Sequence, residues 1–279
     1  MLAALNKTQY LILLTALLLQ ACSSSSRYKI HNDHGPTAPV DVSDIKDATP
    51  KNEPRSKYGN PENYKVLGKW YSVRKSSTGY KEKGISSWYG KKFHGHRTSS
   101  GETYNMYAMT AAHKTLPLPT YVRVTHLENG RSVIVKVNDR GPFHQGRIID
   151  LSYAAAKKLG VTSTGTAAVE VVALDPKEYK SKKPYHPKIN RTSALTTYPL
   201  KPNFKLFLQV GAFSSQNNAD KLTKRLSRMF KQQQIHSDFL SEKNIYRVRI
   251  GPLASIADAD RLSMYLNKKN IPTTKIVID

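Results

Sequence analysis

Between residues 84 and 174 apolar and polar positions alternate in short runs, the period of strands that bury one face. Ile85 to Tyr89 reads as one strand, and Thr120 to Leu127 and Ser132 to Val137 as a pair. The pair is joined by Glu128-Asn129-Gly130-Arg131, and Asn-Gly between alternating runs is a strong hairpin signal. Ser152 to Leu159 predicts a two-turn helix, N-capped by Ser152 and stopped by Gly160, and Ala167 to Ala173 predicts a closing strand. Several short strands with one or two small helices in about 90 residues suggest a small barrel.

The C-terminal part has a different rhythm. Val210-Gly211-Ala212-Phe213-Ser214-Ser215 followed by Ala219-Asp220-Lys221-Leu222 recurs 40 positions later as Ile250-Gly251-Pro252-Leu253-Ala254-Ser255 followed by Ala259-Asp260-Arg261-Leu262. Each copy predicts strand, Gly turn and amphipathic helix, with Ala219, Leu222, Leu226, Met229 and Phe230 on one helix face. With a short strand near Asp238 to Leu240 and a last one at Ile276 to Ile278, the order is βαββαβ. That order makes a ferredoxin-like, four-stranded antiparallel sheet with both helices on one face. Alternation turns Leu206, Leu208 and Val210 toward the helices, together with Tyr246, Val248 and Ile250. Phe207, Gln209, Arg247 and Arg249 are then expected on the open face as a polar platform.

Two stretches lack apolar periodicity. Residues 23–63 are rich in Ser, Pro, Asn, Asp and Lys and are expected to form a flexible tether, while 175–203 are expected to form a Lys/Pro/Ser-rich linker. The remaining spans are residues 1–22, a barrel domain at 64–174 with a short lead-in, and a second domain at 204–279. Residues 1–22 carry Lys7, an apolar run from Tyr10 to Leu19 and Ala21 before Cys22, the plan of a secretory signal. Cys22 is the single cysteine of 279 residues, so an internal disulfide is excluded. Its place behind Leu19-Gln20-Ala21 resembles a lipobox, which implies lipidation at Cys22, and Ser23 after it implies an outer-membrane address.

A net charge of +24 points to an anionic partner or neighbourhood. Export argues against nucleic acid, and the strand Tyr246 to Leu253 lacks the aromatic pattern of an RNA-recognition sheet. The absence of a Gly-Xaa-Ser-Xaa-Gly elbow argues against a serine nucleophile. His94, His96 and His113 lack a carboxylate at metal-binding spacing, so no metal or cofactor is expected. What remains is carboxylate chemistry. The loop Phe93 to Tyr104 carries Glu102, and His113 ends the apolar run that follows it. Asp139 leads into an Arg-Gly-Pro turn, and Asp150 immediately precedes the helix. Two acids at strand ends are firmly held and still accessible. Asp139 can equally make an Asx turn and Asp150 open a capped helix, so spacing alone leaves both readings standing.

The run GISSWYGKKFHGHRTSSGETYNMYAMTAAHKTLPLPTYVRV, with VNDRGPF and RIIDLSYAAAKKLG after it, resembles the double-psi β-barrel domain of rare lipoprotein A, a family of septal-ring lytic transglycosylases. FLQVGAFSSQNNADKL and YRVRIGPL resemble a SPOR domain, a peptidoglycan-binding module. The resemblance implies non-hydrolytic cleavage of MurNAc–GlcNAc bonds in peptide-free (denuded) strands, leaving 1,6-anhydro-MurNAc ends. It also implies a cell-envelope protein, lipid-anchored to the outer membrane and enriched at the septum among division proteins. The family's functional residues fall on Glu102, His113 as a helper, and Asp139, while Asp150 in IDLS resembles the catalytic aspartate of related barrels and is a rival general acid. His96 stands where many relatives have Arg. The alternative is a non-catalytic glycan-binding envelope lipoprotein.

Overall fold

The computed structural model describes residues 28, 30–38, 40–144, 146–181, 204–271 and 274–279. Residues 1–22 with Cys22, and most of the linker, lie outside them. Residues 33–279 form one compact unit, which contains every element below.

A hairpin of β1 (Asn63–Val66) and β2 (Lys69–Ser72) precedes the barrel. The barrel strands are β3 (Lys81–Tyr89), β4 (Thr110–His113), β5 (Thr120–His126), β6 (Ser132–Asp139), β7 (Arg147–Ser152) and β8 (Ala167–Ala173). They close in the order β3-β7-β4-β6-β5-β8. β3 with β7 and β4 with β6 are parallel, and the other four pairs are antiparallel. Alternation fills the interior, with Val133, Val135 and Val137 of β6 nearly fully buried and Ile134 and Lys136 between them partly exposed. Closure also removes the edges that short strands would otherwise leave unpaired. Asn129 Oδ1 accepts the Arg131 amide at 2.9 Å and so shapes the predicted β5–β6 turn. The predicted helix is α1 (Tyr153–Leu159), capped by Ser152 Oγ on the Ala155 amide and ended by Gly160 in the left-handed region.

Residues 40–62, expected as free tether, instead lie along the barrel. Val42 is buried, Val40, Ile45 and Ala48 pack on the same core, and Asp47 accepts the Ile134 amide. Four apolar side chains at irregular spacing give no helical or strand period, so the sequence pattern concealed this strap. Its far end is clamped by Asn60, whose side chain accepts the Leu118 amide and donates to the Leu118 carbonyl, both at 2.8 Å.

A short helix, α2 (Pro176–Ser181), follows β8 where linker was expected. The second domain runs β9 (Leu206–Phe213), α3 (Gln216–Met229), β10 (Ile235–Leu240), β11 (Ile245–Leu253), α4 (Ile256–Lys268) and β12 (Lys275–Ile278). Its strand order, β10-β11-β9-β12, is antiparallel throughout, as the internal repeat predicted. Leu206, Leu208, Val210, Val248 and Ile250 join Leu226 and Leu266 in one core.

The opposite sheet face departs from expectation. Phe207 and Arg249 are only 6% and 7% exposed. The guanidinium lies 4.5 Å from the Phe207 ring and is held by Asp238 and Asp279, with Nε donating to Asp238 at 2.8 Å. Arg249 is therefore a clasp between three strands rather than an open contact. Gln209 is partly exposed, and so is Arg247, although its Nε is buried without a partner among the described residues. Alternation gave the correct side of the sheet, but it could not show that one side chain on that side covers another.

Arg249→Ala removes the cation–π contact and both ion pairs. Because Asp238 and Asp279 are 38% and 44% exposed they rehydrate readily, and the expected loss is only about 1–2 kcal/mol. Urea unfolding of the second domain checks this figure, and a loss above about 4 kcal/mol would mean that the clasp is buried more deeply than described.

Candidate active site

The four barrel candidates fall into two groups. Ala112 of β4 pairs with Asp139 of β6 on one side and with Asp150 of β7 on the other, so the two aspartates flank one small residue across three adjacent strands. Asp150 lies inside its strand, not at the strand end that the sequence pattern suggested. Gly141 closes the same spot. Its φ of 142° belongs to glycine, and a Cβ there would lie 3.7 Å from the Ala112 methyl and 3.8 Å from Asp150 Oδ2.

Loop 93–104 brings in the third acid. Ser99 donates to Asp139 Oδ1 from its amide at 2.8 Å and its hydroxyl at 2.7 Å, and the Arg140 amide adds a third bond to that oxygen. The Ser100 amide binds the Asn138 carbonyl, so the loop is sewn to the end of β6. Glu102 is thereby set beside β6, with Oε2 accepting from Asn138 Nδ2 at 2.7 Å and Oε1 2.8 Å from Lys136 Nζ. Lys136 also binds Glu53 of the strap at 2.9 Å.

Asp150 is in a different electrostatic setting. Burial raises its pKa, against the Ser87 hydroxyl that donates to Oδ1 and the nearby Arg147, Lys114 and His144. Tyr89 remains protonated because burial, then the charges of Tyr104, Asp139 and Asp150, push its pKa well up. The Arg140 guanidinium points away from Asp139. It donates to the carbonyls of Gly59, His113 and Leu116 and to Asn60 Oδ1, and burial lowers its pKa to about 10.

His113 does not join the carboxylates. Next to Ala112 in β4, its side chain takes the opposite face. Nδ1 accepts the Thr115 and Leu116 amides at 3.1 and 3.0 Å, so the proton sits on Nε2, which donates to the Tyr80 hydroxyl at 2.8 Å. Tyr80 passes the chain on to Glu82 at 2.9 Å. Both ring nitrogens are occupied, and burial, with Arg140 second, lowers the pKa to about 3. The ring is thus a neutral brace for loop 113–118 and is badly placed to exchange protons with a substrate, contrary to the helper role inferred from the resemblance.

This gives a signed expectation. Between about pH 6.5 and 3 the unfolded chain takes up a proton at His113 that the folded chain refuses. Stability therefore falls as pH drops through the ordinary histidine range, with a slope that approaches about 1.4 kcal/mol per pH unit below the unfolded pKa. Urea unfolding of the wild type and His113→Gln between pH 7 and 5 checks it, and an unchanged slope in the variant would contradict it.

Sequence reasoning missed Ser87, Ser99, Asn138 and Lys136, which position the acids. Ser87 had a readable signal, since it stands two residues before Tyr89 in a strand and so shares its face. Ser99 is set by loop packing, and Lys136 and Asn138 of β6 act through Glu102, which a distant loop brings to them.

Residues 81–171 match the family model described as lytic transglycolase, and residues 202–271 match the SPOR domain model. The endolytic peptidoglycan transglycosylase RlpA of Vibrio cholerae is 56% identical over 169 residues, covering 60% of this chain and 64% of that protein. RlpA of Neisseria meningitidis serogroup A is 40% identical over 69% of this chain and 74% of its own. RlpA of Pseudomonas aeruginosa strain UCBPP-PA14 is 38% identical over 95% of this chain and 94% of its own. With barrel, second domain and nearly the whole length aligned, the chain belongs to the RlpA family of endolytic peptidoglycan transglycosylases.

Proposed function

We propose that the barrel cleaves MurNAc–GlcNAc bonds of peptide-free glycan strands without water, with Asp150 as proton donor and Asp139 and Glu102 as fixed anions. The observation that carries this reading is the pairing of a carboxyl kept protonated more readily by burial with a firmly hydrogen-bonded carboxylate, on either side of Ala112. Unlike environments for two acids are what acid and stabiliser roles need. Asp150 protonates the glycosidic oxygen and the bond to C1 breaks. The negative charge of Asp139 stabilises the oxocarbenium-like centre. The Asp150 carboxylate then takes the proton of the C6 hydroxyl as that oxygen closes on C1, which regenerates the acid and gives the 1,6-anhydro end.

The SPOR domain holds the protein on peptidoglycan, with the partly exposed Gln209 and Arg247 as its polar contacts and Arg249 available only after its clasp opens. Lipidation of Cys22 anchors the chain to the outer membrane, and glycan binding enriches it at the septum near division proteins. The cleavage test compares sacculi stripped of peptides with intact sacculi. Soluble fragments are expected from the stripped sample, and saturable binding with no fragments from either would contradict the reading. For the anchor, Cys22→Ala should move the protein out of the membrane fraction or leave an unprocessed precursor, and unchanged fractionation would contradict lipidation.

A further inference from the structure

A cavity of about 510 Å³ opens beside the site, between the β1–β2 hairpin, the end of β4 and the start of β7. Its charged lining is lopsided: Lys69, Lys114, Arg147 and Lys275, with Glu82 the acid among the described lining residues. Glu82 is already engaged, with one oxygen 3.2 Å from Lys275 and the other accepting from Tyr80. The cations are therefore undercompensated. Lys114 bonds the Arg147 carbonyl, which leaves two of its three ammonium hydrogens for other acceptors. Arg147 Nε is buried and has no partner among the described residues. A buried donor left without an acceptor is costly, and a ligand that supplies one relieves that cost. Tyr71 and Phe143, with ring centroids 5.6 Å apart and planes tilted by 59°, give the cavity an aromatic corner on which a sugar ring can pack.

The cavity also adjoins the chemistry. Lys114 comes directly after β4, two residues beyond Ala112, and Arg147 begins the strand that carries Asp150. Burial, then Lys69, lowers the Lys114 pKa to about 8, with Lys275 acting the same way and Asp150 and Glu82 opposing. An ammonium in that position gains charge stabilisation when an anion arrives.

We propose that this cavity is a carboxylate-binding subsite of the glycan-cleaving groove, in which Lys114, Arg147 and Lys69 hold a carboxylate borne by the glycan while Tyr71 and Phe143 pack on the sugar. It rests on the glycan reading given above. Peptidoglycan offers two carboxylate sources, the lactyl carboxylate of a peptide-free MurNAc and the terminal carboxylate of a stem peptide. The same site distinguishes strands by which of the two it accepts.

The test is an NMR titration of the full soluble chain with three probes: a GlcNAc–MurNAc disaccharide with a free lactyl carboxylate, its lactyl methyl amide, and a stem tetrapeptide. Binding is read instead of turnover, so the subsite stands or falls even if no glycan is cleaved. Saturable shifts at Lys114 and Arg147 are expected with the free carboxylate. Amidation of the ligand, Lys69→Met, or Arg147→Gln should each weaken binding about tenfold, the effect of losing one charge-assisted contact. Affinity should also fall as pH rises past about 8, where Lys114 gives up its proton. The SPOR domain is the same in wild type and variants and cannot produce the differences between proteins, and reading the shifts at Lys114 and Arg147 separates its own glycan binding from that of the cavity. Shifts and tenfold losses with the tetrapeptide alone would keep the subsite and assign it to the stem peptide. Equal affinity for the carboxylate and amide ligands without tetrapeptide binding would overturn the proposal, as would variants that bind like wild type while melting normally.

Discussion

Asp150→Asn is expected to reduce fragment release from peptide-free glycan by about 10²- to 10⁴-fold, the contribution of a general acid. The amide keeps the size of the carboxyl and can still accept the Ser87 hydroxyl, so the strand and the bound glycan should be undisturbed. The wild-type rate should decline as pH rises through the raised pKa of Asp150, because the donor must carry its proton before the bond breaks. Residual activity in Asp150→Asn should lack that alkaline limb. Asp139→Asn should also be slow, by about 10²- to 10³-fold, through loss of a fixed negative charge rather than of a proton. It should retain the limb. Near-normal activity in Asp150→Asn, with the limb abolished in Asp139→Asn, would transfer the donor role to Asp139.

The largest stability effect is expected at Arg140. Its guanidinium joins three segments: Gly59 and Asn60 of the strap, His113 at the end of β4, and Leu116 in the following loop. Arg140→Ala leaves these acceptors short of donors in a buried place. The cost should be about 3–5 kcal/mol, or roughly 12–20 °C in the barrel's melting temperature. Arg140→Lys keeps the charge but supplies no planar fork, and should recover less than half of that loss. Calorimetry of the three proteins decides the point, and a shift below about 3 °C in Arg140→Ala would show that water replaces the guanidinium without difficulty.

Much of the fold could be read because its signals were local. Asn129-Gly130 announced the β5–β6 turn, Ser152 and Gly160 bounded α1, and the copy of Val210–Leu222 at Ile250–Leu262 gave the second domain its topology. The strap of residues 40–62 escaped notice because Val42, Ile45 and Ala48 dock one at a time, supported by Asp47, Glu53 and Asn60, and no element period links them. In the site, Asp139 and Asp150 were legible as acids in the right strands, whereas their convergence on Ala112 depends on which strands the barrel places side by side. His113 misled for a related reason. Its position in the chain adjoins the site, yet one step along a strand reverses the face, and a residue next to Ala112 ends among Tyr80, Thr115 and Leu116. Phe207 and Arg249 show that side-chain direction and exposure are separate questions, since two residues facing the same way can bury each other.

The most direct test of the central claim is mass spectrometry of the fragments released by the purified chain from peptide-free glycan. If Asp150 returns its proton cycle through the C6 hydroxyl, the new MurNAc ends are 1,6-anhydro and carry one water less than a reducing sugar. Ends bearing that water, or isotope from labelled water in the released MurNAc, would show hydrolysis and contradict the account.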